Sequence, residues 1–303
     1  MIGGLELIRE QCRRPADAVR WACVLEATSP KAGNVFPGRE FGDLSYLDFV
    51  TAAEISAASF DPPPPSFSHG VLQASRETAG RLSTNVNLGI LLLLGPLVQA
   101  DSIDSSRRLN RPEWQSRVGD VLESTTPEDA KRLYAAINVA SPGGMGESEE
   151  MDLSGPPPQN FLDAMRAAQS RDRIARNYAQ RFSDLFETVV PMLGQSIQNE
   201  NDLLGGIALA HLRLIASEPD SLIARKFGSE VAREVQQRAN FDVRDAAKRE
   251  AFDRFLRIGT RGPSGKSSTL NPGTTADLIA AGLYVLLREH DQTECENQTG
   301  SSV

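Results

Sequence analysis

The sequence predicts an all-α fold, a single-domain multi-helix bundle with a central apolar helix and long functional loops. Three observations carry that expectation. Apolar residues recur at helical spacing through most of the 303-residue chain. No segment keeps the Val/Ile/Thr alternation of a sheet strand. Ala and Leu dominate over Val, Ile and Tyr, and aromatics make only 6%, a balance that favours helices.

The elements follow in order. Residues 16–26 set Val19, Ala22, Cys23 and Leu25 near one face, with Glu26 at the end of the stripe. A loop spans 28–42. A second helix, 44–59, is stopped by Asp61 and the prolines at 62–65, which donate no backbone hydrogen bond. Residues 68–79 form a third. Residues 87–100 are apolar on nearly every face, the mark of a central helix. Their longest apolar run, 88–98, is about half the length that crosses a bilayer. Thr126 as N-cap, Pro127 at the first position and Glu128 and Asp129 in the first turn open a helix over 127–139. Helices over 161–187, 201–217, 221–237, 243–257 and 275–289 complete the series. Long loops fall at 141–160 and 259–273. One domain is expected over residues 1–290, with a disordered polar tail over 291–303.

The net charge of -8 and pI near 5.1 argue against nucleic-acid binding, which neutralises phosphates with surplus Lys and Arg. A phosphate-rich ligand would need bridging cations or a local basic spot. Cys12, Cys23 and Cys295 lack metal-ligand spacing. Cys12 and Cys23 are expected on one helix as buried or surface thiols rather than a disulfide. Residues 1–10 have neither the basic start nor the apolar run of an export signal, so a cytoplasmic, non-membrane protein is expected.

Two tempting signals carry little. Gly259 to Ser267 resembles a phosphate loop, but five residues separate Gly259 from Gly265 instead of four, and no strand precedes it. His69, His211 and His290 have no mutual spacing that suggests a metal site, and His211 reads as a core histidine.

The polar stretch Asn271-Pro272-Gly273-Thr274-Thr275-Ala276-Asp277 runs straight into an apolar helix. Thr274 or Thr275 can cap it, and Asp277 is expected in its first turn. A carboxylate, two hydroxyls and free N–H groups at one point suit a magnesium-phosphate ligand. A variant capping box, Thr274 with Asp277, explains the same residues.

Other polar blocks accompany it: Glu26-Ala-Thr-Ser-Pro-Lys31, Thr84-Asn-Val-Asn-Leu-Gly89, Ser141-Pro-Gly-Gly144 and Pro219-Asp-Ser-Leu-Ile-Ala-Arg-Lys-Phe-Gly228. With Asn271 to Leu278, these resemble the triphosphoribosyl-dephospho-coenzyme A synthase family from about Trp21 to Arg288. The resemblance implies an all-helical transferase in which the 2'-hydroxyl of dephospho-CoA displaces adenine from ATP. Magnesium is the implied cofactor, and ATP and dephospho-CoA or another small acceptor the implied partners, with a homo-oligomer left open. Candidate catalytic groups are Glu26, Asp43 and Asn87. Candidate ATP and phosphate contacts are Lys31, Asn85, Gly143, Gly144, Arg225, Lys226, Asn271, Thr274 and Thr275; Lys31 is expected to reach phosphate from a free loop. Candidate magnesium ligands are Glu26, Asp220 and Asp277.

The chain also departs from the family. Where citrate-lyase-type members carry Gly-Val-Asn-Thr-His-Lys-Gly, it has Asn87 for His and Leu88 for Lys. An amide cannot shuttle a proton near neutral pH. The chain therefore reads as a divergent branch. A magnesium-dependent nucleotide or ribosyl hydrolase and a non-catalytic nucleotide-binding protein stand as alternatives.

Overall fold

The computed structural model describes residues 4–42, 44–82, 86–104, 107–140, 159–261 and 267–290. The helices are α1 (Gly4–Gln11), α2 (Pro15–Thr28), α3 (Tyr46–Ser59), α4 (Phe67–Leu82), α5 (Leu88–Ser102), α6 (Arg111–Glu123), α7 (Pro127–Ala140), α8 (Phe161–Ala168) and α9 (Arg173–Ala179). A π-helical turn, Leu185–Val189, runs into α10 (Val190–Gln198). Then come α11 (Leu203–Ser217), α12 (Ser221–Phe227), α13 (Ser229–Arg238), α14 (Ala246–Ile258) and α15 (Gly273–Arg288). The all-α expectation holds. One exception lies in the loop before α15, where β1 (Thr260–Arg261) pairs antiparallel with β2 (Ser267–Ser268).

α5 and α15 form the axis. They run parallel: Gly89 and Asp277 meet at their N-terminal ends, and Asp101 meets Tyr284 and Arg288 at the other. α2 runs antiparallel to them, because the carbonyls of Cys12 and Arg13 receive Arg288 while Glu26 lies near Asp277. Leu91, Leu93, Leu94 and Leu97 of α5 are wholly buried, which bears out the central-helix expectation. Proline inside a helix strips one i−4 carbonyl of its partner. Pro96 does so to Leu92, and the Tyr178 hydroxyl donates to that carbonyl at 2.6 Å.

Several expected boundaries change. The helix expected over 161–187 is broken. Asp172 caps a fresh start, accepting from the Ala175 N–H at 3.0 Å. Arg181 and Phe182 then adopt left-handed φ values of 51° and 60°. That conformation costs a non-glycine residue about 1–2 kcal/mol, and complete burial of the Phe182 ring offsets it. The helix expected over 221–237 divides at Gly228, whose φ is 94°. α6 was not expected from periodicity. Its capping box, Asn110 with Glu113, was the available signal. α1 and α10 were likewise not expected. Cys12 precedes α2 rather than sharing a helix with Cys23, though both are buried free thiols.

A second, smaller apolar cluster joins Ala32, Leu209, Leu212, Phe252, Leu256 and Leu270 beside the main core. α11 serves both, with Ile207, Ala210 and Leu214 in the main core and Leu209, Leu212 and Ile215 in the smaller. The loops at 30–34 and 271–273 meet along this seam. No helix among the described residues is long and apolar enough to cross a membrane. Asp43, Asn85, Gly143 and Gly144, and the tail over 291–303, lie outside the described residues.

Candidate active site

The start of α15 is held from a distance. The helix begins at Gly273, with Pro272 at the N-cap and no side-chain cap, so neither Thr274 nor Thr275 caps it. Asp220, the N-cap of α12, does that work. Its Oδ1 accepts from the Leu222 and Ile223 N–H groups at 2.9 and 3.1 Å. Its Oδ2 accepts from the Thr275 N–H and hydroxyl, both at 2.8 Å. Burial still raises the Asp220 pKa against these four bonds. Ser221 Oγ donates to Thr274 Oγ1 at 3.1 Å. The two threonine hydroxyls are thus buried and internally bonded, and both oxygens of Asp220 brace α12 against α15.

Asp277 falls in the second turn rather than the first, because α15 starts two residues early. It is partly exposed and makes no hydrogen bond or ion pair with the described residues. Its carboxylate lies so close to the α5 backbone that a Cβ on Gly89 would stand 1.9 Å from Oδ2. Only glycine leaves that space. Burial pushes the Asp277 pKa well above the usual carboxylate range; the charges of Glu26, Asp220 and Asp172 push the same way, and Arg225 opposes.

Glu26 closes α2, 4% exposed. Lys31 corrects an expectation. Its ammonium is not free in a loop but wholly buried, 2.9 Å from Glu26 Oε1 and bonded also to the Glu26 carbonyl. The turn that follows is anchored by the Gly33 N–H to Asp253 Oδ1 at 2.8 Å. Asn34 Nδ2 donates to Asn271 Oδ1 at 2.8 Å, tying the two motif loops together. Cys23 is packed between the carboxylates, and its thiol pKa is raised by burial, then by Glu26 and Asp277.

Asn87, expected as a catalytic group, makes structural contacts. Its buried amide donates to Ser56 Oγ at 2.8 Å and to the Ala52 carbonyl at 3.5 Å, fastening the start of α5 to α3. Arg225 pairs with Asp172 Oδ2 at 3.3 Å and is 43% exposed, so it can be recruited by an anion. Lys226 is exposed, yet partial desolvation and the Arg225 charge hold its pKa below the usual lysine value, with Asp220 opposing. The structure therefore gathers Glu26, Lys31, Asp220, Arg225, Lys226, Asn271 and Asp277 around one seam. Among the described residues, no group of three or more His, Cys, Asp or Glu is arranged to hold a metal, so Glu26, Asp220 and Asp277 form no closed metal cage.

One contributor escaped the sequence reading. Gly89 stood inside a motif block, but only the approach of α15 shows why it lacks a side chain. His211 is in the core as expected, wholly buried, and neither ring nitrogen has a hydrogen-bond partner by geometry among the described residues. Burial pushes its pKa down to about 3; the Lys31 charge adds to this, and the Pro272 carbonyl acts the other way.

The all-helical bundle thus brings the start of α15, the start of α12 and the Asp277 carboxylate, without a partner among the described residues, to one place. Residues 12–296 match the model of the ATP:dephospho-CoA triphosphoribosyl transferase family, CitG, and the chain belongs to that family. It is a transferase whose substrates are ATP and dephospho-CoA. A solved structure from Archaeoglobus fulgidus, provisionally assigned as a triphosphoribosyl-dephospho-CoA synthase, shares the fold. Its TM-score is 0.59 at 21% identity, over 80% of this chain and 98% of that one. No curated protein matches the chain.

Proposed function

We propose that Asp277 anchors the magnesium triphosphate of ATP while Glu26, oriented by Lys31, serves the reacting ribose. The observation that carries this is the bare Asp277 carboxylate pressed against Gly89. Magnesium bound there would neutralise phosphate charge, and it is commonly held by one or two carboxylates together with substrate oxygens. That fits a site where Asp277 is free and Asp220 is engaged in capping. Arg225 would leave Asp172 to meet phosphate.

The transfer breaks the bond between the ribose anomeric carbon and adenine and forms one to the acceptor 2'-oxygen. The hydroxyl proton is lost and the departing purine gains one. Glu26 would accept the hydroxyl proton and, as a nearby carboxylate, stabilise positive charge on the ribose. Lys31 binds both the Glu26 side chain and its carbonyl, fixing that carboxylate at the end of α2. Asn87 ties the start of α5 to α3. With ATP as donor, the reaction belongs in the cytoplasm.

The test is adenine release from ATP and magnesium, with and without dephospho-CoA. Release that depends on the acceptor, and that Asp277→Asn and Glu26→Gln abolish, is the expected result. Equal release without acceptor would mean hydrolysis instead. Full activity in Asp277→Asn, with unchanged magnesium dependence, would remove Asp277 from the site.

A further inference from the structure

The loop that holds Lys31 has a second face. Pro30 and Ala32, on either side of that buried lysine, line a cleft of about 800 Å³ between the loop, α11 and α14. That volume lies within the range occupied by small ligands. Its apolar lining includes Phe36, Leu209 and Leu212. The polar lining is of mixed sign, with arginines 39, 244 and 249 and four carboxylates, on Glu200, Asp202, Glu250 and Asp253.

Most of these charges are already committed. Arg39 reaches Glu250 at 3.0 Å and Asp253 at 3.8 Å. Arg249 donates to the Val243 carbonyl at 2.6 Å. The Arg244 guanidinium alone among the three makes no hydrogen bond or ion pair with the described residues. Three arginines against four carboxylates leave no positive surplus, so the cleft is unsuited to a triphosphate. An apolar lining beside spaced donors and acceptors suits an uncharged chain with amide groups.

We propose that this cleft seats the pantetheine arm of the acceptor. The inference rests on the transferase reading above. The acceptor straddles the 30–34 loop, its ribose toward Glu26 and its amide-bearing arm across Leu209 and Leu212. Arg244 donates to an arm carbonyl. Recognition of the acceptor is thereby separated from recognition of ATP, which lies on the Asp277 side.

Ala246→Trp fills the cleft from an exposed position at the start of α14, and Arg244→Ala removes the free donor; neither touches the core. The expected result is a KM for dephospho-CoA raised about ten-fold or more in Ala246→Trp. The KM for ATP and the kcat should stay within about two-fold. Free pantetheine should inhibit the wild type competitively against dephospho-CoA and lose that effect in the variant. An unchanged acceptor KM, or a KM for ATP that rises equally, overturns the proposal. Calorimetric titration with dephospho-CoA separates the two readings. Binding by wild type that Ala246→Trp abolishes, without any adenine release, defeats the transferase reading and keeps the cleft; equal binding by both proteins defeats the cleft alone.

Discussion

The two ends of the α5–α15 pair handle buried charge in opposite ways. At the C-terminal end, Asp101 receives the Tyr284 hydroxyl at 2.8 Å and two Arg288 donors at 2.7 and 3.1 Å. Arg288 also donates to the Cys12 and Arg13 carbonyls. Arg108 bonds the carbonyls of Leu287 and Arg9, and Arg9 that of Glu289, so cations satisfy the exposed end of α15. At the N-terminal end, the Asp277 carboxylate stands beside other carboxylates with no donor among the described residues. The closed end stores stability. The open end leaves Asp277 placed to meet the cation that the proposed magnesium triphosphate would bring.

Arg288→Met should strike the closed end hardest. Removing one partner of a buried ion pair typically costs about 3–5 kcal/mol, read as a lower urea midpoint. Adenine release per folded molecule should be unchanged. If Arg288→Met instead impaired turnover in the folded fraction, the two ends would be coupled and the contrast would weaken.

Asp277→Asn should do the reverse. Turnover is expected to fall by about 10²–10³-fold, as when a charge-stabilising group is lost. The folded pKa of Asp277 is raised, so its contribution is fully present below the unfolded value of 3.8 and is lost as pH rises through the folded value. The variant should therefore match the wild type at low pH and melt roughly a few degrees higher at neutral pH. Lower stability at neutral pH would show that the carboxylate has a partner after all.

Gly89→Ala sharpens the comparison from the other side of the contact. Its Cβ forces the Asp277 carboxylate away, at a cost of about 1–3 kcal/mol for overpacking. Magnesium-dependent ATP affinity should fall with it. ATP affinity unchanged by calorimetry would mean that the carboxylate position does not matter.

His211→Leu gives the smallest expected effect. The folded pKa near 3 lies below the ordinary 6.5, so the wild type is fully stable above pH 6.5 and loses stability as pH falls toward 3. By pH 5 the loss is about 1–2 kcal/mol, and the leucine variant should lack it. Parallel melting curves across pH 7 to 5 would show that the imidazole protonates inside the fold.

The helices were legible where chemistry is local. Apolar spacing revealed α2, α5 and α11, and the motif loops carried the identity of Glu26, Lys31 and Asp277. What those side chains bind was not legible, because it depends on chain far away. Lys31 in a Pro-Lys-Ala-Gly stretch looks like a free cation; its burial against Glu26 follows from the closing of α14 and α15 over the loop. Asp220 looks like a ligand until Thr275, 55 residues on, claims it. The breaks at Arg181 and Phe182 left no glycine or proline to read. Asn87 replaces a histidine in the family pattern, yet its amide faces Ser56 and Ala52, a pairing that spacing cannot show.

Of the sixteen residues of α15, fourteen are buried, and among the described residues this helix follows the other fourteen along the chain. During synthesis, then, the second half of the axis leaves the ribosome after α5 and after the described helices that pack around both. Until it arrives, α2 and α5 present their leucine and alanine faces to solvent, and Asp101 has no arginine. The main core is therefore complete only once α15 has emerged.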